Sequence, residues 1–531
     1  MTEILKINPA DNVAVAITAQ KAGARIQVDG REIVLLADVP AGHKIALKDF
    51  SEGENVIKYG YPIGHATKAV PCGEWMNENN IKTNLAGLLD YTYSPVNPTL
   101  DILNEQRTFK GYRRPNGEVG IRNEVWIIPT VGCVNGIVNQ LAERLHEETK
   151  GEGVDAIVAF PHNYGCSQLG DDHENTKKIL RDMVLHPNAG AVLVVGLGCE
   201  NNQPDVFEQF CGDYNKDRVR FMVSQKIEGD EVEYGMKLLR ELYNKAKQDS
   251  REEVPLSELR VGLKCGGSDG FSGITANPLL GVFSDYLIAQ GGTTILTEVP
   301  EMFGAETILM NRCENEGLFR QTVSLINDFK EYFLSHGESV GENPSPGNKA
   351  GGISTLEEKA LGCTQKCGKA PVVGVLPYGE RLQVKGLSLL SAPGNDLVAS
   401  TALASAGCHM VLFTTGRGTP FGTYVPTMKI STNSTLAANK PTWIDFNAGC
   451  IVENESIEDT CRRFIDYVIS VASGPSTVRN SIFSRWQMFL ISSTAVSGKM
   501  IGRLLRVWGQ IGVTQKHLTL GSATGPPADM E

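Results

Sequence analysis

From residue 107 onward, short apolar runs alternate with longer amphipathic segments, and this rhythm constrains the fold more than any other feature of the chain. Runs such as AVLVVGLGC and HMVLFTTGRG are apolar throughout, which is typical of parallel strands buried on both faces of a sheet. The segments between such runs, for example ENTKKILRDMVLH, have the apolar spacing of helices. The pattern therefore predicts α/β units with largely parallel sheets.

The 531-residue chain divides into five segments by composition and pattern. Residues 1–92 alternate in short strands and turns, which predicts a small β-rich domain. Residues 93–106 contain two prolines and are interpreted as a linker. A charged break near residue 250 divides the α/β region into a first domain, 107–250, and a second, 251–474. Residues 475–531 form an atypical tail.

The tail differs from the acidic body in charge. Residues 475–531 contain six Lys or Arg residues and two acids, whereas the whole chain has a net charge of −11. This abrupt change favours a reading-frame change or a foreign terminus. The alternative is an appended helix that binds a membrane surface or a partner protein.

Composition also bounds the function and the compartment. The acidic balance gives no support for nucleic-acid binding. No apolar run reaches the length of a membrane-spanning helix, and the first residues lack the pattern of a signal peptide. We therefore expect a cytoplasmic protein that does not bind membranes, in which the twelve cysteines are thiols or metal ligands and not disulfides.

Four cysteines occupy equivalent places in the sequence: each lies in a glycine-rich turn that follows an apolar run, at Cys133, Cys166, Cys199 and Cys265. In open α/β sheets, ligands bind beyond the carboxyl ends of the strands, so these thiols could converge on one metal. The alternative is that small thiols simply pack well in tight turns.

Polar residues follow the same strand ends. His162 follows the apolar run DAIVAF, and the segment KCGGSDGFSGITANP contains Ser268, Asp269 and Ser272. Other strand ends and glycine-rich loops supply Asn348, Lys349, Thr415 and Arg417. An arginine here could bind a carboxylate through two parallel hydrogen bonds, although a solvent-exposed charge is an equally good interpretation. No dinucleotide-binding glycine motif opens a helix after a first strand.

The motifs PTVGCVNG, YGCSQLGDDH, GLGCENNQ, CGGSDGFSGITANP, NPSPGNKAGG, LGCTQK and TTGRGTP together resemble those of the altronate/galactarate dehydratases. SQLGDDH and LGCTQK favour the altronate branch, and the N-terminal domain is similar to SAF domains. Two departures stand out. Asn77 and Asn79 replace two histidines that are frequent in the family, and the family's closing segment is not recognisable after Gly474.

The resemblance implies that the protein is a hydro-lyase that converts D-altronate to 2-keto-3-deoxy-D-gluconate. It implies Fe²⁺ as cofactor and a sugar acid as the partner, in a chain that could form a homo-oligomer. An iron–sulfur cluster is an alternative cofactor. The expected catalytic residues are His162, Lys349 and Arg417, and the expected substrate-binding residues are Ser268, Asp269, Ser272, Asn348 and Thr415. The expected metal ligands are Cys133, Cys166, Cys199, Cys265 and His43. The alternatives are a dehydratase of galactarate or another sugar acid, a cysteine-dependent oxidoreductase, or a non-catalytic sugar-acid-binding protein.

Overall fold

The computed structural model describes residues 3–85, 87–100, 106–340 and 343–479. The interpretations of the tail concern residues that lie outside these ranges, apart from 475–479. Among the described residues, no helix is both long and apolar enough to cross a membrane.

The N-terminal region consists of short antiparallel strands in three small sheets. The sheet orders are β1-β2-β5-β8, β3-β4 and β6-β7-β9. The turn between β3 and β4 has Asp29 and Gly30 at φ of 51° and 75°, the backbone that a two-residue hairpin requires. The strands are β1 Ile4–Leu5, β2 Val13–Ala16, β3 Arg25–Val28, β4 Arg31–Val34, β5 Lys44–Ala46, β6 Asn55–Lys58, β7 Tyr61–Ala66, β8 Trp75–Met76 and β9 Ile81–Lys82.

The next region contains a four-stranded parallel sheet of order β13-β12-β14-β15. Alternate residues of β12 face opposite sides: Val125 and Ile127 pack with α1 and α4, and Trp126 and Ile128 pack with α2. Its elements are β10 Thr108–Arg113, β11 Val119–Gly120, β12 Glu124–Pro129, α1 Asn135–Thr149, β13 Ala156–Ala159, α2 Gly170–Val184, β14 Ala189–Gly196, α3 Pro204–Phe210, β15 Val219–Val223, α4 Glu231–Ala246 and β16 Glu252–Pro255.

The last region is built on a seven-stranded parallel sheet of order β19-β20-β18-β17-β21-β22-β23. The α/β architecture with a β-rich N-terminal region is thereby confirmed. Its elements are β17 Arg260–Cys265, α5 Ala276–Ala289, β18 Thr293–Leu296, α6 Glu306–Met310, α7 Glu316–Ser335, α8 Pro346–Ala350, α9 Leu356–Thr364, β19 Val372–Leu376, β20 Gly386–Leu390, α10 Asp396–Ser405, β21 Met410–Thr415, β22 Thr427–Ser431, α11 Ser434–Asn439, β23 Phe446–Asn447, α12 Cys450–Glu453 and α13 Ile457–Ser473.

One hydrophobic core joins the two parallel sheets. It includes Trp126 and Phe160 from the smaller sheet region together with Leu390 and Tyr424 from the larger one, and α2 contacts α10 within it. The side chain of Tyr424 packs edge-on against Trp126. The two α/β regions therefore share buried apolar surface and are not packed as separate units.

A buried ion network fastens the N-terminal sheets to the rest of the chain. The Glu358 carboxylate on α9 accepts hydrogen bonds from the ammonium groups of Lys44 (2.8 Å) and Lys58 (2.7 Å). All three side chains are at most 1% exposed. Burial alone would raise the pKa of Glu358, but the two ammonium groups lower it to about 2. The carboxylate is therefore charged, and it neutralises two cations that have left water.

Replacing this carboxylate should destabilise the protein strongly. We expect Glu358→Gln to lower the free energy of unfolding by about 3–5 kcal/mol, because two buried ammonium groups lose their counter-charge. Urea-induced unfolding of the purified protein measures the change. The matched control is Glu32→Gln, which removes the exposed ion pair with Arg25 in the same region and should leave the midpoint unchanged. Equal midpoints for the two variants would contradict the assigned role of Glu358.

Candidate active site

Three loops converge at the carboxyl end of the seven-stranded sheet, and they carry most of the residues predicted to bind substrate or act in catalysis. They are residues 266–275 after β17, the segment around α8, and residues 416–426 after β21. The Asn348 side chain donates to the Ser268 carbonyl (2.8 Å). A methyl group placed on Gly267 would lie 3.4 Å from the Thr415 hydroxyl and from Cβ of Arg417. The structure therefore brings the three loops together.

Asp269 joins the loop after β17 to the segment that follows β22 by hydrogen bonds. Its buried carboxylate accepts from the hydroxyls of Ser272 (3.0 Å) and Thr432 (2.9 Å) and from the Asn433 amide (3.1 Å). Burial raises the pKa of Asp269, and these donors oppose that shift. A Cβ on Gly416 would lie 2.2–2.6 Å from the same carboxyl group, so this approach requires glycine. Asp269 and Ser272 thus use their polar atoms to hold the site together.

Three polar groups at this edge have no partner among the described residues. They are the Lys349 ammonium, the exposed Arg417 guanidinium and the buried Ser268 hydroxyl. A buried hydroxyl without a hydrogen bond is costly, and that of Ser268, unlike those within the strands, lies in a loop beside two cations, where a ligand could supply the partner. Two cations and a free hydroxyl suit an anionic ligand that also has hydroxyl groups.

The N-terminal region contributes one side of the site through His43. The Trp75 indole donates to His43 Nδ1 (3.2 Å), and His43 Nε2 lies 3.3 Å from the Ala350 carbonyl. These contacts assign the proton to Nε2, and burial lowers the pKa of His43. Because both nitrogens are engaged, neither is free for a metal in this arrangement. Asn77 and Asn79, which replace the family's histidines, bond to each other in a local turn.

A buried network of charges and thiols lies behind the loops, and much of it was missed by the sequence reasoning. Lys264 donates to Glu298 (2.5 Å) and Asp396 (2.7 Å), and Lys359 pairs with Glu301 (2.9 Å). The one sequence signal was a lysine inside a strand predicted to be buried on both faces, which needs a charged partner.

Cys265 belongs to this network. Its sulfur lies 3.4 Å from the Cys363 sulfur, 3.0 Å from a Glu301 oxygen and 2.7 Å from the Lys366 ammonium. The hydrogen bond from Cys363 has the largest effect and lowers the pKa of Cys265 to about 7, with Lys366 and Lys264 acting in the same direction. Among the described residues, the one group of three or more His, Cys, Asp or Glu ligand atoms within 4.8 Å of each other is Cys265, Glu301 and Cys363.

The other three predicted cysteine ligands do not belong to that group. Cys133, Cys166 and Cys199 are exposed and follow the strands of the four-stranded sheet, whereas Cys265 is buried at the end of β17. The prediction that all four thiols surround one metal is therefore not met by the part of the chain that the structure describes. The local sequence could not distinguish these two settings, because each cysteine follows a strand in the same kind of turn.

His162 lies beside the exposed cysteines and not among the loops of the larger sheet. Its Nε2 donates to the Pro129 carbonyl (2.8 Å), and its Nδ1 accepts from the Tyr164 amide (3.1 Å). Burial lowers its pKa to about 4. The neutral ring thus holds two backbone segments together, and the proton-transfer role expected for it stays a prediction.

Three family models match successive parts of the chain. They are described as "Altronate/galactarate dehydratase SAF domain" over residues 2–84, "D-galactarate dehydratase/Altronate hydrolase, second domain" over 111–247, and "D-galactarate/Altronate dehydratase, C-terminal" over 256–496. The last match extends past Gly474, where the recognisable motifs end.

Curated relatives match over nearly their full length. The chain is 58% identical to an altronate dehydratase of Bacillus subtilis (strain 168) over 89% of this chain and 96% of that protein. It is 56% identical to an altronate dehydratase of Escherichia coli (strain K12), over 90% of this chain and 96% of that protein. It is 34% identical to the galactarate dehydratase (L-threo-forming) of the same strain, over 88% of this chain and 92% of that protein. The chain belongs to the altronate/galactarate dehydratase family.

Proposed function

We propose that this protein is a hydro-lyase that dehydrates D-altronate to 2-dehydro-3-deoxy-D-gluconate. The observation that carries the proposal is the meeting of two unpartnered cations and an unpartnered buried hydroxyl at the carboxyl end of the large sheet. The family relationship supports the reaction class, and the higher identity to altronate dehydratases than to the galactarate dehydratase supports the substrate.

The chemistry explains why cations are needed. The reaction removes the C2 proton and the C3 hydroxyl, and the resulting enol becomes a 2-keto acid. Removing the C2 proton places more negative charge on a carboxylate that is already charged, so fixed positive groups lower the barrier. In this proposal Arg417 binds the carboxylate through two parallel N–H bonds, and Lys349 supplies a second cation. The Ser268 hydroxyl binds a substrate hydroxyl.

Family resemblance implies iron, and the chain offers two sets of soft ligands. The Cys265, Glu301 and Cys363 group fits poorly, because Lys366 and Lys359 already lie 2.7–2.9 Å from its sulfur and carboxylate atoms. Cys133, Cys166 and Cys199 have no ammonium partner among the described residues and fit better. Bound iron would supply a Lewis acid for a substrate oxygen.

We further propose a reducing, cytoplasmic setting. All twelve cysteines are free, including Cys265 and Cys363 with sulfurs in contact, and a reducing compartment keeps such thiols unbridged. Assembly into a homo-oligomer stays a prediction.

The substrate assignment is tested by measuring 2-keto-acid formation from altronate and from galactarate, each with and without Fe²⁺. We expect a much higher kcat/KM for altronate, and activity that depends on iron. The Lys349→Met, Arg417→Met double variant, purified in the same way, separates the activity of this chain from that of a contaminant. Equal or reversed kcat/KM values for the two sugar acids would reject altronate as the preferred substrate.

Arg417→Lys should reduce kcat/KM by tens- to hundreds-fold, roughly 2–3 kcal/mol, because an ammonium cannot form the two parallel bonds of a guanidinium. Steady-state kinetics with altronate measure the loss. Arg462→Lys, at an exposed ion pair on α13, is the matched control and should retain full activity. A kcat/KM for Arg417→Lys within a factor of two of the parent would place Arg417 outside the site.

Ser268→Ala should lower kcat/KM by about five- to 150-fold without lowering stability. The hydroxyl has no partner in the folded chain, so its removal costs the fold nothing, whereas the bound substrate loses a hydrogen bond. Ser388→Ala is the matched control, since this hydroxyl is also buried without a partner but lies within β20. Unfolding midpoints and kinetics are compared for both variants. A loss of activity in parallel with a loss of stability would assign Ser268 a structural role.

A further inference from the structure

Three exposed cysteines lie at the carboxyl ends of three neighbouring strands. Cys166, Cys133 and Cys199 follow β13, β12 and β14, which are adjacent and parallel in that order. Their loops therefore leave the same edge of the sheet. Free cysteines are usually buried, so three exposed thiols at one edge indicate a use other than packing.

Backbone hydrogen bonds join the three loops to one another. The Gly132 amide donates to the Tyr164 carbonyl (3.0 Å), and the Asn202 amide donates to the Gly165 carbonyl (3.0 Å). The Asn202 side chain also donates to the Thr130 carbonyl (3.2 Å). Each of these residues is one to three positions from a cysteine in sequence. The three thiols are thus carried by segments that contact each other directly.

Two glycines allow the loops to approach this closely. A Cβ on Gly165, which has a φ of 100°, would lie 2.1 Å from the Thr130 carbonyl oxygen. A Cβ on Gly132 would lie 2.7 Å from the His162 carbonyl oxygen. The buried His162 ring further joins the ends of β12 and β13 through its two backbone bonds. The loops are therefore held rigidly before any ligand binds.

Two buried polar atoms near the cysteine loops lack partners among the described residues. They are Oδ1 of Asn202, which is only 1% exposed, and Oγ of Ser224, the neighbour in sequence of Gln225. The Gln225 side-chain amide lies 3.5 Å from the Cys199 sulfur, an N–H···S contact of the kind that tunes thiolate ligands. Unpartnered buried atoms next to three thiols indicate a group that is bound at this edge.

In the described part of the chain, the thiols of these three cysteines are not grouped as a single metal ion would group them. A single tetrahedral ion with bonds of about 2.3 Å would place its sulfurs about 3.8 Å apart. These cysteines form no group of three ligand atoms within 4.8 Å in the described part of the chain. A cluster gives each thiolate a different iron, which requires a wider separation.

We propose that Cys133, Cys166 and Cys199 hold a [4Fe–4S] cluster, with one thiolate on each of three irons and the fourth iron open to a ligand from solution. Thiolates are the ligands that iron–sulfur clusters prefer, and an open position is typical of catalytic metal sites. Cys265 lies outside this site. The loop after β13 also reaches the large sheet, since Tyr164 packs against the core that contains Tyr378 and Ala392.

The test uses the full chain, purified without oxygen and treated with ferric iron, sulfide and a thiol reductant. We expect about four irons and four acid-labile sulfides per chain, visible sulfide-to-iron absorption, and an electron paramagnetic resonance signal after reduction. The single variants Cys133→Ser, Cys166→Ser and Cys199→Ser should each lose most of this content. Cys72→Ser, at a partly exposed cysteine of the N-terminal region, is the matched control and should retain it. Cys265→Ser should also retain it.

Alkylation gives a readout that does not depend on the variants folding. Iodoacetamide followed by mass spectrometry should label the three cysteines in the untreated protein, and loading with iron and sulfide should protect them. Equal labelling before and after loading, or iron bound without sulfide, would overturn the proposal. So would a loss of the cluster in Cys265→Ser while Cys133→Ser retains it.

The inference is separable from the proposed substrate, because iron, sulfide and alkylation are all measured without a sugar acid. A chain that holds the cluster but does not dehydrate altronate contradicts the proposed function alone. A chain that dehydrates altronate with no sulfide bound contradicts the cluster alone.

Discussion

The buried carboxylate of Glu358 is the interaction on which the arrangement of the site depends. It lies on α9, a short helix whose residues are all buried, and it binds two lysines of the N-terminal sheets. The same helix directs Lys359 to Glu301 and Cys363 to Cys265. One helix thus connects the N-terminal region to the buried charge network behind the loops of the candidate site. A substitution that breaks the ion pairs of Glu358 should therefore also alter the contacts that Lys359 and Cys363 make on the other side of α9.

Much of the fold could be predicted from the sequence, because its determinants are local. Buried parallel strands require continuous apolar runs, and the helices between them require apolar residues at helical spacing. The alternation of strands and helices could therefore be predicted from the sequence. The hydrophobic core that the two sheets share could not be predicted in this way. Contacts such as that between Trp126 and Tyr424 join residues far apart in sequence, and neither residue carries a signal of its partner.

The convergence of the candidate-site loops was predictable to a similar extent, whereas the roles of their residues stay predictions. Strand ends and glycine-rich loops indicated where Ser268, Lys349 and Arg417 would meet, since parallel strands deliver their following residues to one edge. Nothing local indicated that Lys366 would reach Cys265, or that Glu301 would neutralise Lys359, because these pairs depend on how distant segments pack. The four cysteines show the same limit: one local pattern leads to a buried thiol in one sheet and exposed thiols in the other.

The antiparallel pairing of β10 with β16 has a consequence for how this architecture can be rearranged. These strands are the points at which the chain enters and leaves the smaller parallel sheet, and their register places Thr108 opposite Pro255 and Gly111 opposite Glu252. The beginning and end of that region are therefore side by side, as in a cassette inserted into a host fold. Joining the two strands by a short turn would keep the host chain continuous without the insert, but it would also expose the apolar surface that Tyr424 and Leu390 now share with Trp126 and Phe160. The connection of this region is that of an insert, whereas its packing is that of an integral part of the fold.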